Sequence, residues 1–249
     1  MKQQCRKLKT NVVSFLDILG YKEIMRDESR VNSLFDAVSS IVEKAKLYIN
    51  EFTDMDGENG KKFGNGETII NTLKYRAFSD NIVISCELYP QSDDKFQNWV
   101  NAVAIATVAM VQADIQIELL INHGLLSRGG MTIGDYYIDS EFVFGQGLVD
   151  AFRLEQNAEY PRIVVDDEVV RIFHQSSKRA GYNVEKDGSG GLFKRDYDEE
   201  YFVNPDLDSS FYTRATMYAN SRETRTHLVS EALKSNARTN RKEEECRPA

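Results

Sequence analysis

Two strand-like runs, TLKYRAF (72–78) and NIVISCEL (81–88), are separated by Ser79 and Asp80 alone. A link that short between β-rich runs predicts a hairpin, and the hairpin constrains what can flank it. Upstream, NVVSFLDI (11–18) reads as a short buried strand. From Val31 the apolar residues Leu34, Phe35, Val38, Ile41, Val42, Ala45, Tyr48, Ile49 and Phe52 recur at alternating spacings of three and four, which predicts an amphipathic helix. Downstream, Asp93 and Asp94 can cap a helix over roughly 95–121, and LLSRGGMTIGDYY (125–137) reads as a strand whose glycines allow close backbone approach.

The order is therefore β-α-β-β-α-β, the split βαβ of a ferredoxin-like core. Further elements follow: a helix over 147–158, the strand RIVVD (162–166), a helix over 167–175, and GLFKRDYDEEYFVN (191–204) as a strand or irregular hairpin. Residues 211–240 read as helical, ending in a polar tail. The expected fold class is α+β, a ferredoxin-like βαββαβ core with C-terminal αβ additions. With no internal repeat and no second core, residues 1–249 are expected to form a single domain with a helical tail from about 211. The glycine-rich stretch DMDGENGKKFGNG (54–66) lacks the GxxxxGK[ST] order of a phosphate-binding loop and reads as a solvated insertion.

A net charge of −8 argues against a general nucleic-acid binder or a protein of anionic membranes, while leaving room for a local basic pocket. Cys5, Cys86 and Cys246 are widely spaced and make no CxxC pair, so a reducing cytoplasm is the simple expectation. The apolar segment from Trp99 to Ile121 is interrupted by Asn101, Gln112, Asp114, Gln116 and Glu118, which predicts a buried helix rather than a membrane span. His123, His174 and His227 have no metal-ligand spacing, and no GxSxG elbow is present.

The chemistry concentrates in FLDILGY (15–21), where Asp17 ends an apolar run just before a glycine turn. A buried carboxylate needs a cation, a donor cluster or water beside it. In a ferredoxin-like core the first and third strands are antiparallel neighbours, so Asp17 at the end of one lies beside Asp80 at the start of the other. Asp is common in turns, and Asp80 alone would not separate a turn residue from a ligand. Two carboxylates meeting at one sheet edge favour a hard cation such as Mg²⁺ or Mn²⁺ with substrate phosphates completing its shell.

These segments resemble a known family. FLDILGY is similar to the F-x-D-I-x-G-F segment of class III nucleotide cyclases, and FSDN (78–81) to the hairpin that carries their second metal-binding aspartate. RGGMTIG (128–134) matches their R-x-G-x-x-x-G strand, and GQGLVDAFRLE (145–155) resembles their G-x-x-V-N-x-A-x-R-M/L-E helix. The four segments occur in the family's order over roughly residues 11–158. FSDNIVIS, RGGMTIGDYY and GLVDAFRLE most resemble the pyrimidine cyclases of bacterial Pycsar antiphage systems.

The resemblance implies a mechanism. Two Mg²⁺ or Mn²⁺ ions, held by Asp17, Asp80 and the backbone carbonyl of Ile18, would bind a nucleoside triphosphate, and the ribose 3′-hydroxyl would attack the α-phosphate with loss of pyrophosphate. Arg153 would stabilise charge on the transferring phosphoryl group. Family members place metals from one protomer opposite the arginine of the other, so the resemblance implies a head-to-tail homodimer with interfacial active sites. Lys194 and Arg195 could grip the terminal phosphates or form a solvated charge pair. The family's asparagine four residues before the arginine is Val149 here, with Asp150 next to it, which leaves the ribose contact unassigned.

Adenylate cyclases read adenine with a lysine four residues before the second aspartate and with an acidic partner on a later strand. The matching positions here are Arg76 and Phe142, so that pair is absent. Tyr75 and Arg76 are bulky enough to narrow the pocket toward a pyrimidine, and an arginine donor suits the carbonyls of uracil. UTP is the favoured substrate, with CTP the other pyrimidine choice, and the cyclic product would be read by a separate effector. Two other readings stand beside this one. A purine or diguanylate cyclase would share the two-metal plan, although FSDN is not GGDEF. A catalytically inactive domain that binds nucleotide or dimerises is the non-enzymatic alternative.

Overall fold

The computed structural model describes residues 7–28, 30–40, 73–139, 141–181 and 191–204. The expected loop at 54–66 and helix at 211–240 lie outside the described residues, as does the second half of the helix predicted from Val31.

The element order is β1 (Lys9–Ile18), α1 (Tyr21–Ile24), a helix α2 over 30–40, β2 (Lys74–Phe78), β3 (Asn81–Glu87), α3 (Lys95–His123), β4 (Ser127–Ile138), β5 (Val143–Phe144), α4 (Gln146–Asn157), β6 (Ile163–Val165), α5 (Asp167–Ala180), β7 (Phe193–Arg195) and β8 (Tyr201–Val203). The main sheet runs β2-β3-β1-β4-β6-β8-β7, with β5 paired to β4. Read from β4 to β2, its first half is the 4-1-3-2 antiparallel order of a ferredoxin-like core, as the hairpin and the element order require. The C-terminal addition continues the same sheet, because β6 pairs parallel to β4 and the β7–β8 hairpin pairs onto β6.

Strand alternation sorts the two faces of the sheet. Val12, Leu16 and Ile18 of β1 join the large core with Ile82, Ile84, Ile105, Val108, Ile115, Val169 and Phe173, so α3 and α5 cover that side. Val13 and Phe15 point the other way, into a smaller cluster with Val83, Tyr136, Ile138 and Ala151. On this side α4 packs against β4 and β1. The approach is close because Gly130 has no side chain. A Cβ there would stand 2.1 Å from the Ala151 carbonyl oxygen and 2.8 Å from the Glu155 nitrogen.

The helix α3 has the length and apolar content of a membrane span, yet most of that apolar stretch is buried inside the protein. Its start is capped by the Asp94 side chain, which accepts from the Gln97 N–H at 2.9 Å, and its end by Gly124 at φ 62°. Three elements depart from expectation. α5 extends to Ala180 because Ser176 and Ser177 are buried where the sequence reads as polar. The single turn α1 and the two-residue strand β5 are too short to carry a periodic signal.

Candidate active site

Asp17 stands one residue before the end of β1, directly opposite Asn81 of β3 on one side and Arg128 of β4 on the other. Strand alternation places it on the α4 face of the sheet, in line with Val13 and Phe15. Gly20, at φ 80°, then turns the chain away in a conformation that a side chain would resist. The β2–β3 turn is closed by Ser79 at φ 56°, a positive φ at the first turn residue that suits the twist of a hairpin. This brings Asp80 to the end of β1. The Ile18 N–H donates to the Asp80 carbonyl oxygen at 3.0 Å, so the main chain of Ile18 lies beside Asp80. The Asn81 side chain donates to Asp80 Oδ1 at 3.0 Å and orients that carboxylate.

Asp17 is pushed up to about 6, mainly by burial, then by the negative charges of Glu155 and Asp80, with its contact to Asp80 adding to the rise and Arg128 opposing it. The site is thus short of positive charge where two oxygen-ligand side chains meet. Among the described residues no group of three or more His, Cys, Asp and Glu side chains is placed to hold an ion. A hard cation would therefore be held by this pair, with water or substrate oxygens completing its shell, which is the habit of Mg²⁺. The donor set fits Mg²⁺ or Mn²⁺.

The sequence reading overlooked the ground under Asp17. Glu155 of α4 is completely buried, and its Oε1 accepts from Arg128 Nε at 2.5 Å. Arg128 Nη1 also approaches the Ala158 carbonyl oxygen at 3.5 Å, and Gln156 Nε2 donates to Glu155 Oε2 at 2.5 Å. Both charged residues fall inside segments quoted for the resemblance, but only the packing of α4 on β4 shows that they meet.

Arg153 lies elsewhere in the chain's own surface. Its side chain is 68% exposed and pairs with Asp150 at 3.2 Å, on the outer side of α4. Glu155, two residues on, faces the sheet. Lys194 is on β7, four strands removed from β1, which at about 4.8 Å per strand separates it from Asp17 by roughly 19 Å. The structure does not bring Lys194 or Arg195 to the paired aspartates of the same chain. Arg195 instead donates to the Glu199 carbonyl oxygen at 2.8 Å and sits over the Tyr201 ring at 5.4 Å.

Of the residues expected to face the base, Arg76 and Phe142 are brought together and Tyr75 is not. Arg76 is paired with Val83 in the β2–β3 ladder and shares the face of Asp17, and its Nη2 donates to the Asp139 carbonyl oxygen. Asp139 in turn accepts the Phe142 N–H at 3.0 Å, so the guanidinium is tied to the arm that carries Phe142. The Phe142 ring lies 6.0 Å from Tyr137 and 5.8 Å from Phe144 in an aromatic cluster. Tyr75 packs instead against the α3-side core. Adjacent residues of a strand point to opposite faces, so Tyr75 and Arg76 cannot line one pocket.

No family model matches the sequence. No curated protein matches it either. Solved structures that it resembles include adenylyl and guanylyl cyclase domains. The adenylyl cyclase CyaB from P. aeruginosa is 13% identical over 80% of this chain and 96% of its own, with a TM-score of 0.48. The monomeric guanylyl cyclase domain of the RhoGC fusion protein from the aquatic fungus Blastocladiella emersonii is 12% identical over 80% and 96%, at 0.45. The guanylate cyclase domain of RhGC from Catenaria anguillulae, in complex with GTP, is 14% identical over 80% and 98%, at 0.42. Identities this low say nothing of substrate.

Proposed function

We propose that this chain is a pyrimidine nucleotide cyclase, converting UTP, or CTP, to the 3′,5′-cyclic monophosphate and pyrophosphate. The observation that carries the reading is the meeting of Asp17 and Asp80 at the end of a central strand, with the Asp17 carboxyl raised by burial first and then by the charges of Glu155 and Asp80. In the reaction a bond forms between O3′ and the α-phosphorus, the bond from that phosphorus to the β-phosphate bridging oxygen breaks, and the 3′ proton passes to solvent. Bound Mg²⁺ or Mn²⁺ would supply Lewis-acid activation of the attacking oxygen and neutralise charge on the phosphates.

Asp17 and Asp80, with the Ile18 carbonyl as a further oxygen donor, would hold such ions at the triphosphate end. Arg76, on the same sheet face, reads the carbonyl edge of the base, and its anchorage on Asp139 gives that donor a fixed direction. Phe142 closes the base side without the carboxylate that adenine reading uses. Arg153 faces outward from its own chain and serves the site of a second copy, where it stabilises charge on the transferring phosphoryl group. The working unit is a homodimer with interfacial active sites. Lys194 is assigned to the terminal phosphates of the partner's substrate. A cytoplasmic place, from the widely spaced cysteines, and a role as the source of an antiphage second messenger, from the motif resemblance, are part of the same proposal.

The test is to incubate the purified protein with ATP, GTP, CTP and UTP separately, with Mn²⁺ or Mg²⁺, and to identify products by mass beside an Asp80→Asn control. A cyclic pyrimidine monophosphate that is missing from the control supports the proposal. A purine product moves the reading to a purine cyclase, and no product from any triphosphate moves it to a nucleotide-binding domain. Arg76→Lys with unchanged nucleotide preference would remove Arg76 from base reading.

A further inference from the structure

We infer that Glu155 acts as a restraining counter-ion: by holding the Arg128 guanidinium it keeps that cation off Asp17 and leaves the aspartate pair open to a divalent metal. The inference deepens the metal-binding part of the function proposed above and rests on it.

Arg128 and Asp17 are cross-strand partners in the β1–β4 ladder and share one face of the sheet. Directly opposite side chains on neighbouring strands are within reach of each other, and an arginine opposite an aspartate ordinarily pairs with it. Here the hydrogen bonds of Arg128 go the other way, to Glu155 Oε1 at 2.5 Å and to the Ala158 carbonyl oxygen at 3.5 Å. The holding carboxylate is wholly buried, whereas the guanidinium is 27% exposed. A buried carboxylate without its cation would be costly, so Glu155 binds Arg128 strongly. Its second oxygen is occupied by the Gln156 amide.

The seat of α4 makes this possible. Glu155 reaches Arg128 because Gly130 lets the Ala151–Glu155 turn sit directly on β4. At Asp17 the negative charge of Glu155 outweighs the positive charge of Arg128, in place of one uncompensated arginine competing with the metal for the same carboxylate oxygens.

This arrangement predicts an order of affinities that a merely structural ion pair would not. Neutralising Glu155 removes a negative charge and frees a positive one, and both changes weaken binding of a divalent cation. Neutralising Arg128 does the reverse. Removing both restores the balance. Mn²⁺ alone is titrated into the full-length protein, and the EPR signal of free Mn²⁺ reports binding, with Asp17→Asn and Asp80→Asn identifying the site.

Glu155→Gln should raise the Mn²⁺ dissociation constant at least about tenfold, the lower bound for an unneutralised charge within a few ångströms when screening is close to that of water. Arg128→Gln should bind Mn²⁺ at least as well as the parent, and Arg128→Gln/Glu155→Gln should return close to it. The inference is overturned if Glu155→Gln binds like the parent, or if the double variant stays as weak as Glu155→Gln. Loss of binding in a folded Arg128→Gln protein also overturns it, and that variant decides the matter if Glu155→Gln does not fold. A parent protein that binds no Mn²⁺ through Asp17 and Asp80 overturns it as well. Because the readout is metal binding, failure here is distinct from failure to form a cyclic nucleotide.

Discussion

The Ile18 N–H donates to the Asp80 carbonyl oxygen at 3.0 Å, so the last residue of β1 is tied by main chain to the turn between β2 and β3. That bond fixes where the main chain of Asp80 stands beside the end of β1, and the Asn81 amide then orients its carboxylate. Asp80→Asn keeps the main-chain bond and the shape of the turn, and changes one charged oxygen to an amide. The variant should melt within about 2 °C of the parent, since surface and turn substitutions of this kind usually cost under about 0.5 kcal/mol. Product formation, followed by mass, should fall at least about a hundredfold with loss of one charge-stabilising group. A folded Asp80→Asn protein with parental turnover would remove the paired carboxylates from the chemistry.

Asp17 gives a pH dependence with a definite sign. Its carboxyl titrates near 3.8 when unperturbed and is pushed up to about 6 in the fold, by burial first and then by Glu155 and Asp80. A raised carboxyl binds its proton more tightly folded than unfolded, so its contribution to stability is full below about 3.8 and is lost as the pH rises through about 6. Because the group is only partly buried, solvent screening reduces the effect to about 1 kcal/mol. Thermal melts in chelator over this range should show the parent losing stability relative to Asp17→Asn as pH rises. A difference between the two proteins that does not change with pH would contradict the charge environment described for Asp17.

Much of the geometry around Asp17 is legible in the sequence, for reasons that differ by residue. The hairpin at Ser79–Asp80 and the βαββαβ order depend on short-range turn chemistry and periodicity, and together they place β1 beside β3, hence Asp17 beside Asp80. Arg128 and Glu155 sit in the same motif segments, but their meeting depends on how far α4 approaches β4, which Gly130 permits without announcing the distance. Tyr75 shows the opposite failure. Adjacency in sequence to Arg76 suggests adjacency in a pocket, while the period of two in a strand sends the pair to opposite faces. The pairing of β6 with β4 and of β8 with β6 is non-local, and no local pattern in RIVVD or EEYFVN encodes a partner.

The seat of α4 can be tested by crowding it. A Cβ on Gly130 would fall 2.1 Å from the Ala151 carbonyl oxygen and 2.6 Å from Leu154 Cβ. The first of these is backbone in the middle of a helix and cannot rotate away, so α4 must lift as a whole. Gly130→Ala should therefore cost about 3 kcal/mol or more, at the upper end for overpacking, and lower the urea midpoint accordingly. It should also part Glu155 from Arg128 and weaken Mn²⁺ binding. A loss of under about 1 kcal/mol would mean that α4 rides higher on β4 than this packing indicates.

Arg153 and the aspartates belong to the same chain but face different ways, which makes the interfacial arrangement open to a mixing experiment. Arg153 is two-thirds exposed and its partner Asp150 is also accessible, so their ion pair contributes little to stability. Arg153→Ala should melt like the parent, within about 0.5 kcal/mol, and lose about a hundredfold or more in turnover if it stabilises the transferring phosphoryl group. Asp80→Asn should be equally inactive by itself. In a dimer whose sites draw metals from one protomer and arginine from the other, co-refolding the two inactive proteins leaves one intact site in each mixed dimer. Product should then return in the mixture, at a level set by the fraction of mixed dimers. If the mixture stays as inactive as its parts, although mass spectrometry shows mixed dimers, both groups act within one chain and α4 must turn Arg153 inward during catalysis.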